Sequence, residues 1–308
     1  MNKKAYFFID DVIWVFRDLT RQRPASLFDN AFMRMLKDGH DRHGMKVQLN
    51  VFYRTDFFYG RDEFTLADMT DAYKAEFQAA SDWLKLGFHA KQEFPDYPYI
   101  NADYDDVRAD LEDIKREIFR FAGESSFARA VIPHWLPISR EACQALHDGG
   151  IKLLAMSTGP RVPYNGDPSC LPYGHSARLL QNRKPETALY TRPGRNTAIA
   201  ASICGYNHIE TPAPMENTTF ATHFDAEIGL HFKSFGGTGA CLNLIKEEEL
   251  EACYRPLKDY EFVGYAVHEQ YFYPDYYAYQ ADYANKLLGA ARILQENGYT
   301  YFFIEELV

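Results

Sequence analysis

The stretch Ala5-Tyr6-Phe7-Phe8-Ile9-Asp10-Asp11 is an unbroken apolar run that ends in two carboxylates. Strands that are buried on both faces, as in a parallel sheet, have continuous apolar sequences rather than alternating ones. The run is too short for a membrane span or for the core of a signal peptide. It predicts a buried parallel strand that carries two acidic side chains to its carboxyl end.

Similar short runs recur along the chain, and amphipathic stretches with the period of a helix lie between them. The apolar side chains of residues 66–84, 107–121 and 283–294 follow this period. The second stretch should begin near Asn101 or Asp103 and end at Gly123, and Gly298 should end the third. The alternation predicts a parallel α/β architecture whose strands span residues 6–10, 47–53, 87–90, 130–135, 152–157, 262–268 and 299–305.

Residues 159–217 have a different character, because they are rich in Pro, Gly, Asn and Arg and show weak periodicity. This composition indicates an elaborated loop or insertion that could cover an active site. Residues 218–232 alternate in part, which fits either a hairpin or one long strand. We therefore expect one catalytic domain over residues 1–308, with an insertion at about 159–217.

The charge and cysteine content restrict the class of partner. The chain has 43 acidic and 33 basic residues, for a net charge of −10, which disfavours nucleic acid or an anionic membrane as the main partner. The five cysteines form no CxxC pair and are odd in number, so neither a zinc knuckle nor a full disulfide set is indicated. We expect a cytoplasmic protein that acts on a carbohydrate or another small molecule.

Polar, metal-capable residues fall at the carboxyl ends of successive predicted strands, where α/β barrels place their active sites. Two adjacent carboxylates at one strand exit ionise together at little cost only when a cation is bound. The alternative for this pair is a helix N-cap. The residues at the strand ends are Asp10, Asp11, Asn50, His89, His134 and His268.

The sequence around His89 and His268 indicates a chemical role for each of these two histidines. Glu93 follows His89 by four residues, so both can reach one divalent metal if the chain turns helical there. The alternative is a solvated loop in which Glu93 faces water. His268 ends a strand and could be a ligand or a proton donor, or simply a buried histidine with satisfied hydrogen bonds.

These elements, in this order, resemble the polysaccharide deacetylase family, also called the NodB-homology or carbohydrate esterase family 4 domain. Phe8-Ile9-Asp10-Asp11 resembles its TFDD motif, and 87–93 (GFHAKQE) resembles its H-[ST]-x-x-H motif. The segment 131–134 (VIPH) lies where the family has R-x-P, and Val267-His268 resembles its late LLH motif. The resemblance implies a distorted (β/α) barrel of about seven strands.

It also implies an activity and a role for each matched residue. Asp10 would be the catalytic base and His268 the general acid. Asp11, His89 and Glu93 would be the ligands of a divalent metal, with zinc as the expected ion. Glu93 stands where the family has a second histidine, and Val131 replaces the arginine that orients the base. His134 would be an additional ligand or a substrate contact, and Arg129 or Arg161 would be the substitute arginine.

The expected function is therefore metal-dependent removal of an acetyl group from an N-acetylated sugar or a related amide. Two alternatives remain open because of the changed positions. One is a catalytically silent barrel that binds a glycan or nucleotide sugar. The other is a metal-independent glycosidase that uses Asp10 or Asp11 with Glu93 as its carboxylate pair.

Overall fold

In a computed structural model of the protein, the strand predicted over residues 6–10 forms part of a longer parallel strand. The structure describes residues 3–55, 63–94, 97–136, 138–156, 161–165, 198–202, 218–234 and 241–308. In chain order the strands are β1 Lys3–Val12, β2 Val47–Phe52, β3 Leu84–Ala90, β4 Ala130–Val131, β5 Leu153–Met156, β6 Arg161–Asn165, β7 Ala198–Ser202, β8 His223–Asp225, β9 Leu230–Ser234, β10 Phe262–His268 and β11 Tyr299–Tyr301. The α-helices are α1 Trp14–Gln22, α2 Ala31–His43, α3 Lys74–Ala79, α4 Tyr104–Phe121, α5 Arg140–Asp148, α6 Leu250–Tyr254 and α7 Tyr283–Glu296.

The β1 strand is central to a parallel sheet with the order β10-β1-β2-β3, and β11 also pairs with β1. Its pairing with β10 runs from Lys4 opposite Phe262 to Asp10 opposite His268. Because the carboxyl ends of parallel strands lie at the same end of a sheet, this register places Asp10 next to His268. The predicted parallel α/β arrangement is confirmed, and β10 has the predicted bounds.

The second sheet has the order β4-β5-β9-β8, in which β4, β5 and β9 are parallel. The β8 and β9 strands form an antiparallel hairpin, which decides between the two interpretations of residues 218–232. A single parallel bridge between Leu86 and Phe127 connects β3 to the segment before β4. Closure of the two sheets into a seven-stranded barrel stays a prediction.

The side chains of β1 alternate between two apolar cores. Ala5, Phe7 and Ile9 pack in the larger core with the helices, whereas Tyr6 and Phe8 pack in a smaller core with Ala130, Ile132, Leu153 and Phe262. Successive side chains of a strand point to opposite faces. Asp10 therefore continues the face of Tyr6 and Phe8, which the β4 and β5 strands also line.

The helix predictions had different outcomes. Asp103 caps α4 by accepting a hydrogen bond from the Asp106 amide, and Gly123 follows the helix with φ of +90°, as expected. The prediction of one continuous helix over residues 66–84 was wrong. Those residues form a 3-10 turn at Leu66–Asp68, the short α3 helix and the start of β3. Their apolar period reports burial against the core, which separate turns can provide as well as one helix.

Most of the predicted insertion lies outside the described residues, namely 159–160, 166–197 and 203–217. The described parts, β6 and β7, form an antiparallel pair. The single-domain organisation therefore stays a prediction. Across the described segments, every helix is too short or too polar to cross a bilayer.

Candidate metal and catalytic site

The first unusual feature of the site is the backbone at the exit of β1. Asp11 has φ of +63°, and the pairing of β1 with β2 shifts register between Ile9 and Val12. A non-glycine residue in the left-handed region is uncommon and is enriched at functional sites. The bulge interrupts the alternation of the strand, so the carboxylates of both Asp10 and Asp11 lie at the same sheet edge.

The Asp11 carboxylate lies next to two histidines, His89 of β3 and His134 of the segment after β4. Its Oδ1 lies 3.1 Å from Nε2 of His89 and 3.3 Å from Nδ1 of His134. All three side chains are buried, with 2–4% of their surface exposed. In the part of the chain that the structure describes, these residues form a group of His, Cys, Asp or Glu that could hold a metal ion.

The outer nitrogen of each histidine ring has a backbone partner. His89 Nδ1 donates to the Ile132 carbonyl at 2.7 Å, and His134 Nε2 donates to the Glu93 carbonyl at 2.9 Å. The inner nitrogens, His89 Nε2 and His134 Nδ1, therefore carry lone pairs in the neutral rings, and they lie 3.1 Å apart. Two facing lone pairs beside a carboxylate require a proton or a cation between them.

The donor set fits a divalent metal. Tetrahedral zinc with nitrogen and oxygen ligands has ligand–ligand separations of about 3.3 Å, and the three distances here are 3.1, 3.1 and 3.3 Å. Metal-binding histidines typically donate their other N–H to a carbonyl or carboxylate, as both rings do here. Three protein ligands leave positions for water or substrate, as in catalytic rather than structural sites.

The two aspartates have opposite electrostatic environments. Burial raises the pKa of Asp10, although His89, His268 and the Asn50 amide partly offset this effect. Burial also raises the pKa of Asp11, but the adjacent His134 and His89 imidazoles, when protonated, more than compensate and hold this pKa well below its usual range. Asp11 is therefore suited to be an anionic ligand, whereas Asp10 keeps more basic character.

His268 lies on the opposite side of Asp11, with its Nε2 4.0 Å from Asp11 Oδ2. Its Nδ1 contacts Asn243 Oδ1 at 2.9 Å and Cys241 Sγ at 3.8 Å. Burial lowers the pKa of His268, and Cys241 and the two carboxylates raise it, for a net pKa of about 10. The Asn243 contact orients the ring so that Nε2 faces the site.

Glu93 has a different environment from the three clustered residues. Its Oε2 accepts a hydrogen bond from Gln270 Nε2 at 3.0 Å, and its backbone carbonyl holds His134. The spacing of four residues from His89 suggested Glu93 as a ligand, yet the group capable of binding a metal contains His134. His134 comes from the segment after the next strand, which local sequence spacing does not reveal.

The sequence predicts that Arg129 or Arg161 replaces the motif arginine that orients the base, Asp10. The guanidinium of Arg129 is half-exposed and pairs with Glu124 at 3.7 Å, so it is not a partner of Asp10. The side chain of Arg161 lies outside the described residues. Val131 is fully buried in the larger core. Asn50 supplies the hydrogen bond to Asp10 instead, from Nδ2 to Oδ1 at 2.6 Å.

Glu269 was not singled out from the sequence, although it organises the site edge. Its carboxylate accepts hydrogen bonds from the backbone amides of Ile13, Trp14 and Val15 at 2.7–2.8 Å. These amides begin α1, whose N-cap position is Ile13 and has no capping side chain of its own. The apolar residue at the helix start is the available sequence signal, since the free amides must find a partner elsewhere. The contact ties β10 to the chain that follows Asp11.

Comparison with family models and with curated proteins finds no match. Among solved structures, a 4-alpha-glucanotransferase from Thermococcus litoralis matches with a TM-score of 0.53 at 10% identity, over 100% of this chain and 40% of that chain. The present chain therefore spans less than half the length of that enzyme, and the likeness is one of fold.

The matched structures also include members of the family that the sequence resembles. A putative polysaccharide deacetylase from Mycobacterium smegmatis matches with a TM-score of 0.46 at 11% identity, over 99% of this chain and 88% of that chain. A family 4 acetyl xylan esterase from Clostridium thermocellum matches with a TM-score of 0.44 at 11% identity, over 99% and 90%.

Proposed function

We propose that this protein is a metal-dependent hydrolase that removes the acetyl group from an N-acetylated sugar or a related amide. The observation that carries the proposal is the arrangement of Asp11, His89 and His134, whose inner ligand atoms lie 3.1–3.3 Å apart. A separate carboxylate, Asp10, and a separate histidine, His268, flank this group. The combination supplies the parts of a hydrolytic site: ligands, a base and an acid.

Asp11 Oδ1, His89 Nε2 and His134 Nδ1 would hold the cation. A divalent metal bound there would act as a Lewis acid that activates water and polarises the acetamide carbonyl. The carbonyl oxygens of Ile132 and Glu93 keep both imidazoles in the tautomer that binds metal. In this proposal Glu93 contributes through its backbone, and its side chain is not a ligand.

Asp10 is the candidate base, because its carboxylate is buried beside the ligands without being one of them. It would remove the proton of the attacking water. His268 is the candidate acid, because its Nε2 faces Asp11 from the other side and its Nδ1 is held by Asn243. It would protonate the departing amine, so that acetate and a free amine result.

The sugar part of the proposal is supported by the resemblance of the sequence motifs and by the aromatic segment after His268. The rings of Tyr271, Tyr276 and Tyr277 form a contiguous series next to His268, with centroid separations of 4.5–6.3 Å. The Tyr277 side chain is 72% exposed. Aromatic rings at such a position can stack on the C–H faces of a sugar.

The first experiment is metal analysis of the purified wild-type protein beside the Asp11→Ala and His89→Ala variants. We expect about one equivalent of a divalent metal in the wild type and little in either variant. Acetate release from N-acetylglucosamine oligomers should then require the metal and stop with a chelator. Sugar binding without bound metal would instead favour a silent barrel, and glycosidic cleavage that survives a chelator would favour a metal-independent glycosidase.

A further inference from the structure

We infer that Asn50 positions Asp10 for its role as the base, in place of a charged arginine. This inference rests on the proposed function above. Asn50 Nδ2 donates to Asp10 Oδ1 at 2.6 Å, and both side chains lie at the carboxyl edge of adjacent parallel strands, β2 and β1. Asn50 itself is completely buried. Its side chain hydrogen-bonds to Gln48 and to the base, so its effect on the reaction would be exerted through Asp10.

The orientation of the Asn50 amide is set by Gln48, two residues earlier on the same face of β2. Gln48 Nε2 donates to Asn50 Oδ1 at 2.7 Å and to the Ala130 carbonyl at 3.0 Å. Because Asn50 Oδ1 receives this hydrogen bond, the NH₂ group of the same amide must face Asp10. The three side chains thus form a directed series from the backbone of β4 through Gln48 and Asn50 to Asp10.

Gly87 provides the space that this series occupies. It lies opposite Asn50 in the pairing of β2 with β3. A Cβ atom at position 87 would meet Gln48 Nε2 at 2.8 Å and Asn50 Oδ1 at 3.2 Å, closer than ordinary contacts. Alanine at this position would therefore push first on the two amides.

A neutral amide differs chemically from the arginine of the resembled motif. A guanidinium would restrain the carboxylate and also favour its anion through a full positive charge. The Asn50 amide restrains one carboxylate oxygen with a single short hydrogen bond and adds no formal charge. The position of the motif arginine belongs to Val131, which is buried in the core on the helix side of the sheet, so the amide is the orienting group.

The test compares Asn50→Leu, which has nearly the same volume and no donor, with Gly87→Ala, which displaces the amides. The control is Asn30→Ala, which removes the cap of α2 and so destabilises the fold without removing a hydrogen bond to Asp10 or Asn50. For each variant we would measure bound metal, kcat and KM for acetate release, and the Asp10 carboxylate orientation in a crystal structure of the metal-loaded protein.

We expect Asn50→Leu to retain the metal and KM while kcat falls about 10- to 100-fold, because a displaced base loses its alignment. Gly87→Ala should show a smaller loss of the same kind, and Asn30→Ala should leave kcat unchanged. A wild-type kcat in Asn50→Leu, or an Asp10 carboxylate that keeps its orientation there, would overturn the inference. Absence of metal-dependent turnover in the wild type would refute the proposed function instead, and the crystal structures would still decide whether Asn50 orients Asp10.

Discussion

His89 Nε2 and His134 Nδ1 lie 3.1 Å apart, although 45 residues separate the two histidines in the chain. Each ring donates its other N–H to a backbone carbonyl, so the two facing nitrogens both present lone pairs toward Asp11. In neutral rings this arrangement is repulsive, and a proton or a cation between the three side chains relieves the repulsion. These two nitrogens and Asp11 therefore form a candidate site for a divalent metal.

The first prediction separates the two candidates for the third ligand. We expect His134→Ala to weaken metal binding by at least about 100-fold, because a ligand atom is lost. Glu93→Gln should change the affinity by less than about threefold, since the backbone carbonyl that holds His134 remains. Competition with a chromophoric chelator measures both. His147→Ala, a surface histidine on α5, is the matched control, and loss of metal in Glu93→Gln with retention in His134→Ala would reverse the assignment.

A second prediction concerns the different roles proposed for the adjacent aspartates, Asp10 as the base and Asp11 as a metal ligand. Asp10→Asn should retain the metal while kcat falls about 100- to 10,000-fold, because a base is removed and the ligands are intact. Asp11→Asn should lose both metal and turnover. Elemental analysis and acetate release on the same preparations distinguish the two. Loss of metal in Asp10→Asn would mean that both carboxylates are ligands and that the base lies elsewhere.

The third prediction is a pH dependence of stability that arises from Glu269. Burial raises the pKa of Glu269 from its ordinary value of 4.5 to about 7. The three backbone N–H groups lower this pKa in part, and the negative charge of Asp18 raises it. The Tyr273 hydroxyl also donates to this carboxylate, at 3.2 Å. The folded state therefore binds more protons than the unfolded state between these two pH values, so the contribution of Glu269 to stability falls as the pH rises through this window.

Denaturant unfolding of the wild type and Glu269→Gln across this pH range tests the effect. The wild type should lose stability relative to the variant as the pH rises, at a slope of at most about 1.4 kcal/mol per pH unit. Below the window the two proteins should differ by a constant amount. A difference that instead grows in favour of the wild type with rising pH would show that the three amide donors outweigh burial.

The fourth prediction addresses the packing that supports the sheet. Phe121, at the end of α4, is fully buried against Phe16 and Phe77, with ring centroids 5.2 and 5.9 Å away. We expect Phe121→Ala to lower the free energy of unfolding by about 3–5 kcal/mol, because it leaves a cavity between helices. Phe224→Ala is the control, since that ring is 51% exposed and its removal should change stability by less than about 0.5 kcal/mol. Equal effects of the two substitutions would contradict the described core.

The elements that could be predicted from the sequence are those whose signal is local. The apolar run before Asp10 predicted β1, and β10 was predicted with its bounds, because a parallel strand buried on both faces needs a continuous apolar sequence. Asp103 and Gly123 marked the ends of α4, since caps act within one turn. The helix over residues 66–84 failed because burial of every third or fourth residue does not require unbroken helical hydrogen bonds.

By itself, the sequence determined that polar and acidic side chains follow successive buried strands, which leads to the expectation that Asp10, Asp11, His89, His134 and His268 lie at the carboxyl ends of those strands. Only the tertiary structure decided which of these residues form the candidate metal site and which lie beside it. The positive φ of Asp11, the carbonyls of Ile132 and Glu93, and the amide series from Gln48 set which atoms face one another. Strand periodicity depends on neighbours in the chain, whereas the direction of each lone pair depends on hydrogen bonds between strands that are distant in sequence.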